Sequence, residues 1–241
     1  MNNRLDLYMY SAGLAESRSK ARELICGGAV AVNGETVGKP SAPVPDGARV
    51  SVSAYSKYAG RAGYKLETAV EAFGIRFTDL TCLDAGAGAG GFTDLMLQNG
   101  ARRVYAADVG ENQLHPSLRE NPRVISMEKQ DIRTLVLPEK VDFITADLSF
   151  ISLRQVVPSF GRLLKSKGEC AVLIKPQFEA GKIRMKNGIL KDEKLIAKIV
   201  CDTERFITEL GYEIIGTVPS KLNEKGKNRE YITYIIRSND L

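Results

Sequence analysis

The chain has 241 residues, enough for one large domain and a small one, and 44% hydrophobic with 26% charged residues is an ordinary globular composition. No run of about 18 apolar residues occurs, and the start M-N-N-R-L-D-L-Y-M-Y has no uninterrupted apolar core, so neither a membrane span nor a signal peptide is predicted and the expected location is cytoplasmic. Cys26, Cys82, Cys170 and Cys201 stand far apart with no C-x-x-C pair, which predicts reduced thiols and excludes a disulfide or zinc framework. A single histidine, His115, removes most histidine-based mechanisms, and a net charge of +5 is compatible with a nucleic-acid partner without establishing one.

The spacing predicts helices over Arg4–Gly13 and Ser17–Cys26. Leu5, Tyr8 and Met9 fall at i, i+3, i+4, and Ala21, Leu24 and Ile25 repeat the pattern. Ser17 is the expected N-cap and Gly27-Gly28 the stop. Ala29–Val32 reads as a strand, Asn33-Gly34 as a hairpin turn, Glu35–Val37 as its return and Ala48–Ser53 as a further strand. From Arg4 to Gly34 the order R-L-D…S-R-S-K-A-R-x-L-I-x-x-G-x-V-x-V-N-G resembles the S4 RNA-binding module. The resemblance implies that Arg4, Arg18, Ser19, Lys20 and Arg22 meet RNA, through salt-dependent phosphate contacts of low sequence specificity.

Residues 54–60 read as a linker, which divides the chain into domains at 1–53 and 61–241. The second opens with Arg61-Ala62-Gly63-Tyr64-Lys65-Leu66 and a helix to about Phe73. Leu80–Leu83 suits a buried strand, followed by a turn crowded with Gly86, Gly88, Gly90 and Gly91 and by a helix from Phe92 to Gly100. Strand, side-chain-free turn and helix N-terminus together predict a pocket for a nucleotide-like cofactor. Gly86, Gly88 and Gly91 fit G-x-G-x-x-G, with Asp108 about 20 residues on as the ribose acid of an NAD site. Asp84, Gly86, Gly88 and Gly90 equally fit the acid-x-G-x-G-x-G turn of S-adenosylmethionine enzymes. Asp84 decides between them: a carboxylate facing the turn repels a diphosphate and favours a donor with an ammonium and a sulfonium.

Further strands are expected at Arg102–Asp108, Arg123–Met127, Val141–Ala146, Glu169–Ile174, Tyr212–Val218 and Glu230–Ile236, with helices at Ser152–Leu164 and Asp192–Leu210. The alternation predicts an α/β, doubly wound, mostly parallel sheet with helices on both faces. Asp108 and Val109 at one strand end, and Asp131 and Ile132 after the next, are expected at the ribose and adenine; Phe92 accompanies the glycine turn. A basic stretch over 176–191 offers Lys182 and Arg184 to RNA, as does Arg61 before the second domain.

The acceptor atom follows from what the strand ends carry. Amino methylation of bases commonly uses N/D-P-P-Y/F after the fourth strand, where this chain has Asp147-Leu148-Ser149-Phe150. Pyrimidine carbon-5 methylation needs a cysteine nucleophile, commonly after proline, and no cysteine here follows one. Asp147 and Lys175 remain at strand ends, with Lys65 from the preceding helix and Glu230 at the last strand. This Lys-Asp-Lys-Glu set suits a ribose 2′-hydroxyl, a poor nucleophile that needs a base or a strong orienting partner. Lys175 is the first choice for deprotonating or orienting it, if a neighbouring lysine and burial lower its pKa. Asp147 and Glu230 hold the lysines, Lys65 supports the ribose and its phosphate, and no metal is required.

The whole chain resembles the TlyA family, an S4 module followed by a methyltransferase domain of the RrmJ/FtsJ type. The segments R-A-G-Y-K-L (61–66), D-A-G-A-G-A-G-G-F-T-D (84–94), D-L-S-F-I-S-L (147–153), L-I-K-P-Q-F-E (173–179) and N-R-E-Y (228–231) carry it. The resemblance implies a Rossmann-like sheet of seven strands, the last antiparallel, and 2′-O-methylation of cytidine in ribosomal RNA of the large and, in some members, the small subunit. The family's tetrad falls on Lys65, Asp147, Lys175 and Glu230. Arg61-Ala62-Gly63-Tyr64 departs from the common R-G-G-x and Asn228-Arg229-Glu230 from G-N-x-E, while the short ends resemble compact members acting on large-subunit RNA. Competing expectations are a haemolysin, which family labels suggest, a non-catalytic RNA-binding protein on the same fold, and an NAD enzyme.

Overall fold

The computed structural model describes residues 3–52, 57–181, 188–222 and 227–238. They fall into two units, Met1–Arg61 and Ala62–Leu241.

In the first unit β1 (Asn3–Arg4) leads into α1 (Leu5–Ser11) and α2 (Arg18–Cys26). Ser17 caps α2 as expected, its hydroxyl accepting from the Lys20 amide at 3.0 Å. β2 (Val30–Val32), β3 (Glu35–Thr36), β4 (Pro43–Val44) and β5 (Val50–Val52) follow. β2, β3 and β5 form a three-stranded sheet in the order β3-β2-β5, while β1 pairs with β4. Asn33 and Gly34 have φ of 52° and 84°, the left-handed pair that a two-residue hairpin needs. Leu5, Met9, Ala21, Ile25, Val30 and Val44 make the core.

Asp6 is buried at the edge of that core. Arg4 reaches it through Nε and Nη2, both at 3.0 Å, and Arg18 through Nε and Nη2 at 3.3 Å. The hydrogen bonds from Arg4 outweigh burial and, with Arg18, bring its carboxyl down from 3.8 to about 2. A depressed carboxyl adds stability above pH 3.8 that is lost as pH falls through about 2. Asp6→Asn is expected to destabilise the chain by about 1–3 kcal/mol at pH 7 and to flatten its acid limb between pH 4 and 2. Thermal melts of both proteins across that range check it.

The second unit begins with α3 (Gly63–Phe73), closed by Gly74 in the left-handed region, then β6 (Thr81–Ala85), α4 (Gly91–Gln98) and β7 (Arg103–Ala107). A short α5 (Pro116–Arg119) precedes β8 (Val124–Met127), and β9 (Val141–Ala146) follows. The helix expected over Ser152–Leu164 is broken. Pro158 has no amide to donate, so the segment divides into α6 (Leu153–Val156), a 3-10 turn (Val157–Ser159) and α7 (Phe160–Leu163). β10 (Leu164–Ile174) starts earlier than expected, with an irregularity between Leu164 and Glu169. α8 (Pro176–Glu179) stands where a loop was expected, and α9 (Glu193–Glu209), β11 (Tyr212–Pro219) and β12 (Tyr231–Arg237) end the fold.

The seven strands lie in the order β11-β12-β10-β9-β6-β7-β8. β12 is antiparallel to both neighbours and the others run parallel, as expected. Side chains alternate across the sheet. Leu83, Ala85, Ile144 and Ala146 point to a core with Val156, Phe160, Leu163 and Ile207. The register sets Ala85 beside Ala107 and Ala146, and Ala107 beside Met127. The loops after these strands therefore open on one edge, where ligands of such sheets bind.

Candidate active site

Asp84 lies inside β6, one residue before its end, and is fully buried. Its Oδ2 accepts from the Thr93 amide at 2.9 Å and the Thr93 hydroxyl at 2.7 Å, and its Oδ1 from the Thr145 hydroxyl at 3.0 Å. Burial raises its carboxyl to about 6, against the pull of these bonds. This corrects the expectation that Asp84 faces a cationic ligand. The strand's alternation turns it away from the opening and under α4, where it binds the third residue of that helix. It fills the anion position of the α4 N-terminus from inside.

The turn amides are engaged as well. Those of Gly86 and Ala87 donate to the Ala107 carbonyl, Gly88 to Asp108 Oδ2 and Gly90 to the Ala87 carbonyl. A diphosphate therefore finds neither a vacant helix N-terminus nor free amides at these four positions. Gly86 has φ 81°, and a Cβ there would stand 2.7 Å from the Asp147 carbonyl oxygen, so the β6 turn can approach the β9 loop only as glycine. Gly90, Gly91 and Phe92 are buried beneath the turn and are not among the residues that line the opening.

A cavity of about 500 Å³ opens at the strand ends, lined by Gly86, Gly88, Asp108, Val109, Asp131, Ile132 and the 147–151 loop. Asp108 is braced by the amides of Gly88 at 2.8 Å and Gly110 at 2.7 Å. Asp131 is held by Arg133, whose Nη2 lies 2.5 Å from Oδ2, and that hydrogen bond lowers its pKa. Val109 and Ile132 supply apolar surface. Two carboxylates with apolar neighbours suit a nucleoside carrying hydroxyls, an exocyclic amine and positive charge. Among the described residues of the wall the one cation, Arg133, is already engaged by Asp131.

Asp147, which lines the cavity, belongs to one line of ion pairs made by four residues from distant parts of the chain. Lys65 Nζ lies 2.7 Å from Glu230 Oε2 and 3.0 Å from Asp147 Oδ2. Lys175 Nζ lies 2.5 Å from Asp147 Oδ1. Lys65 comes from α3, Asp147 follows β9, Lys175 follows β10 and Glu230 precedes β12. Lys175 is only 5% exposed, so its amine is held almost entirely by protein. Burial would lower the Lys65 pKa, but Asp147 and Glu230 reverse it and the net direction is up. Lys65 is thus held as an ammonium. Asp147, half-buried between Lys65 and Lys175, is pulled below its ordinary range by the two lysines against the effect of burial.

The FtsJ-like methyltransferase family profile matches residues 58–237, and the S4 domain profile residues 3–50. The chain belongs to the FtsJ-like methyltransferase family. It is 40% identical over 244 residues to the 16S/23S rRNA (cytidine-2′-O)-methyltransferase TlyA of Mycobacterium tuberculosis, covering 98% of this chain and 91% of that protein. It is 39% identical over 238 residues to Hemolysin A of Brachyspira hyodysenteriae, covering 97% and 99%. A solved Streptococcus thermophilus structure named as a hemolysin superposes with a TM-score of 0.76 at 35% identity, covering 99% of this chain and 89% of that one. Among the described residues no helix is long and apolar enough to cross a membrane.

In this FtsJ-like methyltransferase the S4 residues are placed unevenly. Ser19 and Arg22 are exposed on α2. Arg4 and Arg18 keep their outer faces in solvent, with side chains 45% and 50% exposed, while their inner N–H groups hold Asp6. Lys20 pairs with Glu23 at 2.6 Å. Arg61 ends the first unit, and Lys182 and Arg184 lie outside the described residues. Four residues of the methyltransferase unit were not singled out from sequence. Thr93 and Thr145 hold Asp84. Ser149 accepts from Lys175 Nζ at 3.1 Å. Phe150, with φ 63° and 91% exposed, stands at the cavity wall 5.3 Å from the Phe178 ring.

Proposed function

We propose that this protein transfers a methyl group from S-adenosylmethionine to the 2′-hydroxyl of a cytidine in ribosomal RNA. The observation that carries the reading is the continuous line Glu230–Lys65–Asp147–Lys175, whose Asp147 lines a nucleoside-sized cavity. The residues at that cavity fit the donor, with Asp108 for the ribose hydroxyls, Asp131 for the adenine amine, and Val109 and Ile132 for the ring faces. When bound, the donor supplies a methyl group on positively charged sulfur. The work left to the chain is to hold a ribose hydroxyl in line with that methyl and to accept its proton.

Lys175 meets the hydroxyl in this reading. Its carbon stem is buried and its amine has two fixed protein partners, so its remaining direction is available to a substrate oxygen. Asp147 holds Lys175 and Lys65 at a fixed spacing, and Glu230 anchors Lys65 from the far side. Lys65, kept charged, supports the ribose and its adjoining phosphate. Lys20, Arg22 and the outer faces of Arg4 and Arg18 supply the electrostatic attraction to RNA. Phe150 offers a nucleobase an apolar face at the cavity wall.

Asp131→Ala is expected to weaken donor binding about tenfold, as loss of one charge-assisted hydrogen bond does, with the turnover of donor-saturated enzyme within about threefold. Calorimetric titration with S-adenosylhomocysteine and single-turnover assays read the two effects. The proposal as a whole is tested by mass mapping of ribose methylation in ribosomal RNA from cells with and without the gene, large-subunit RNA first. Loss of one 2′-O-methylcytidine is the expected result. Unchanged ribose methylation in both subunits overturns it.

A further inference from the structure

Lys175 has a second fixed partner that the four-residue line leaves out. Its Nζ donates to the Ser149 hydroxyl at 3.1 Å, in addition to lying 2.5 Å from Asp147 Oδ1. Lys175 is 5% exposed as a residue, whereas Ser149 is an exposed residue of the cavity wall. No other acceptor is held this close to that nitrogen among the described residues. Its other neighbour is the face of the Phe178 ring, whose centroid lies 6.0 Å away.

The consequence follows from the valence of an amine. A neutral lysine nitrogen carries one carbon, two N–H bonds and one lone pair in tetrahedral directions. If the Asp147 carboxylate, the ion partner at 2.5 Å, draws one N–H and Ser149 takes the other as a hydrogen bond, the lone pair has a single direction left. With Asp147 alone, the amine can turn about its Cε–Nζ bond and place the second N–H where the lone pair is needed. We infer that Ser149 is a positioning residue for Lys175, fixing the direction of the amine's lone pair toward the ribose hydroxyl. This deepens the function proposed above and rests on Lys175 acting as the base. In the step, the hydroxyl proton passes to the Lys175 lone pair, the oxygen–methyl bond forms and the sulfur–methyl bond breaks with its electron pair left on sulfur.

A pH signature separates this role from a structural one. Hydrogen bonds from an ammonium are stronger than those from an amine, so the Ser149 oxygen favours the charged lysine. The charged groups facing Lys175 are Asp147 directly, then Lys65 across Asp147 and Glu230 across Lys65, and none changes when Ser149 is replaced. Ser149→Ala therefore shifts the rising limb of single-turnover rate against pH to lower pH, while its plateau falls about tenfold. Donor affinity and KM for ribosomal RNA stay within about twofold, and Ser149→Thr, which keeps the hydroxyl, restores both plateau and midpoint.

The experiment is that pH profile for the full-length wild type, Ser149→Ala, Ser149→Thr and Lys175→Ala, with S-adenosylhomocysteine titrations alongside. A uniform loss in Ser149→Ala with no midpoint shift, a parallel loss of donor affinity, or wild-type rates throughout overturns the Ser149 assignment while Lys175→Ala remains inactive. Full activity in Lys175→Ala overturns the base itself, and the two failures are thus told apart.

Discussion

Replacing Lys175 by alanine is expected to lower methyl transfer about 10²–10⁴-fold while leaving donor binding in place. The magnitude is that of a removed general base or orienting group, and the selectivity comes from location. Lys175 lies beyond the end of β10, whereas Asp108, Asp131 and the glycine turn sit at β7, β8 and β6. The fold should tolerate the change, because Asp147 keeps its ion pair with Lys65 at 3.0 Å and is not left as an uncompensated buried charge. Lys175→Arg is expected to fail almost as badly, since a guanidinium does not give up its proton near neutral pH. Single-turnover transfer to ribosomal RNA and calorimetry with S-adenosylhomocysteine measure the two quantities. Transfer within about threefold of wild type in Lys175→Ala would remove this residue from the chemistry.

Asp84 carries the second large effect, through folding and not through contact. Alanine there strips the Thr93 amide, the Thr93 hydroxyl and the Thr145 hydroxyl of their buried acceptor. At about 1–3 kcal/mol for each donor left unsatisfied, Asp84→Ala should lower the melting temperature by about 10 °C or more and abolish donor binding as the α4 turn loosens. Asp84→Asn is the discriminating variant. Its carbonyl oxygen can serve Thr93 and its amide can donate to Thr145, so donor affinity should stay within about tenfold. A direct charge contact would instead make the asparagine variant nearly as defective as alanine.

The same residue gives a pH test with a definite sign. Its folded carboxyl is raised by burial to about 6 from an ordinary 3.8. The folded state therefore holds a proton that the unfolded chain has lost, and this contribution is full below pH 3.8 and disappears as pH rises through about 6. Relative to Asp84→Asn, wild type should thus lose thermal stability between pH 4 and 7. Parallel melting curves for the two proteins would contradict the buried placement.

Much of the site was legible because its residues stand at the ends of apolar runs. A parallel sheet brings such ends to one edge, so the sequence alone groups Asp108, Asp131, Asp147 and Lys175. Caps were equally readable. Asp192 accepts from the Lys194 and Leu195 amides at 3.0 and 3.1 Å, as the start of a long amphipathic helix predicts. What was not legible is side-chain direction. Reading Asp84 as the first turn residue set it in the opening, whereas β6 continues to Ala85 and its alternation puts Asp84 on the α4 face. Nothing local reveals that Asp6 is turned inward between Arg4 and Arg18 and takes up their inner N–H groups. The break at Pro158 was visible in the sequence, but the apolar periodicity on either side of it concealed the change of helix.

The central claim is that an oxygen of ribose, and not an atom of the base, receives the methyl group. Alkaline hydrolysis decides it, because the 2′-hydroxyl is the group that cleaves the RNA backbone and its methylation blocks cleavage at that position. Purified enzyme is given methyl-labelled S-adenosylmethionine and unmodified ribosomal RNA, and the product is digested in alkali. The account predicts label in an alkali-resistant dinucleotide whose first nucleoside is 2′-O-methylcytidine. Label released as a mononucleotide methylated on its base would contradict it.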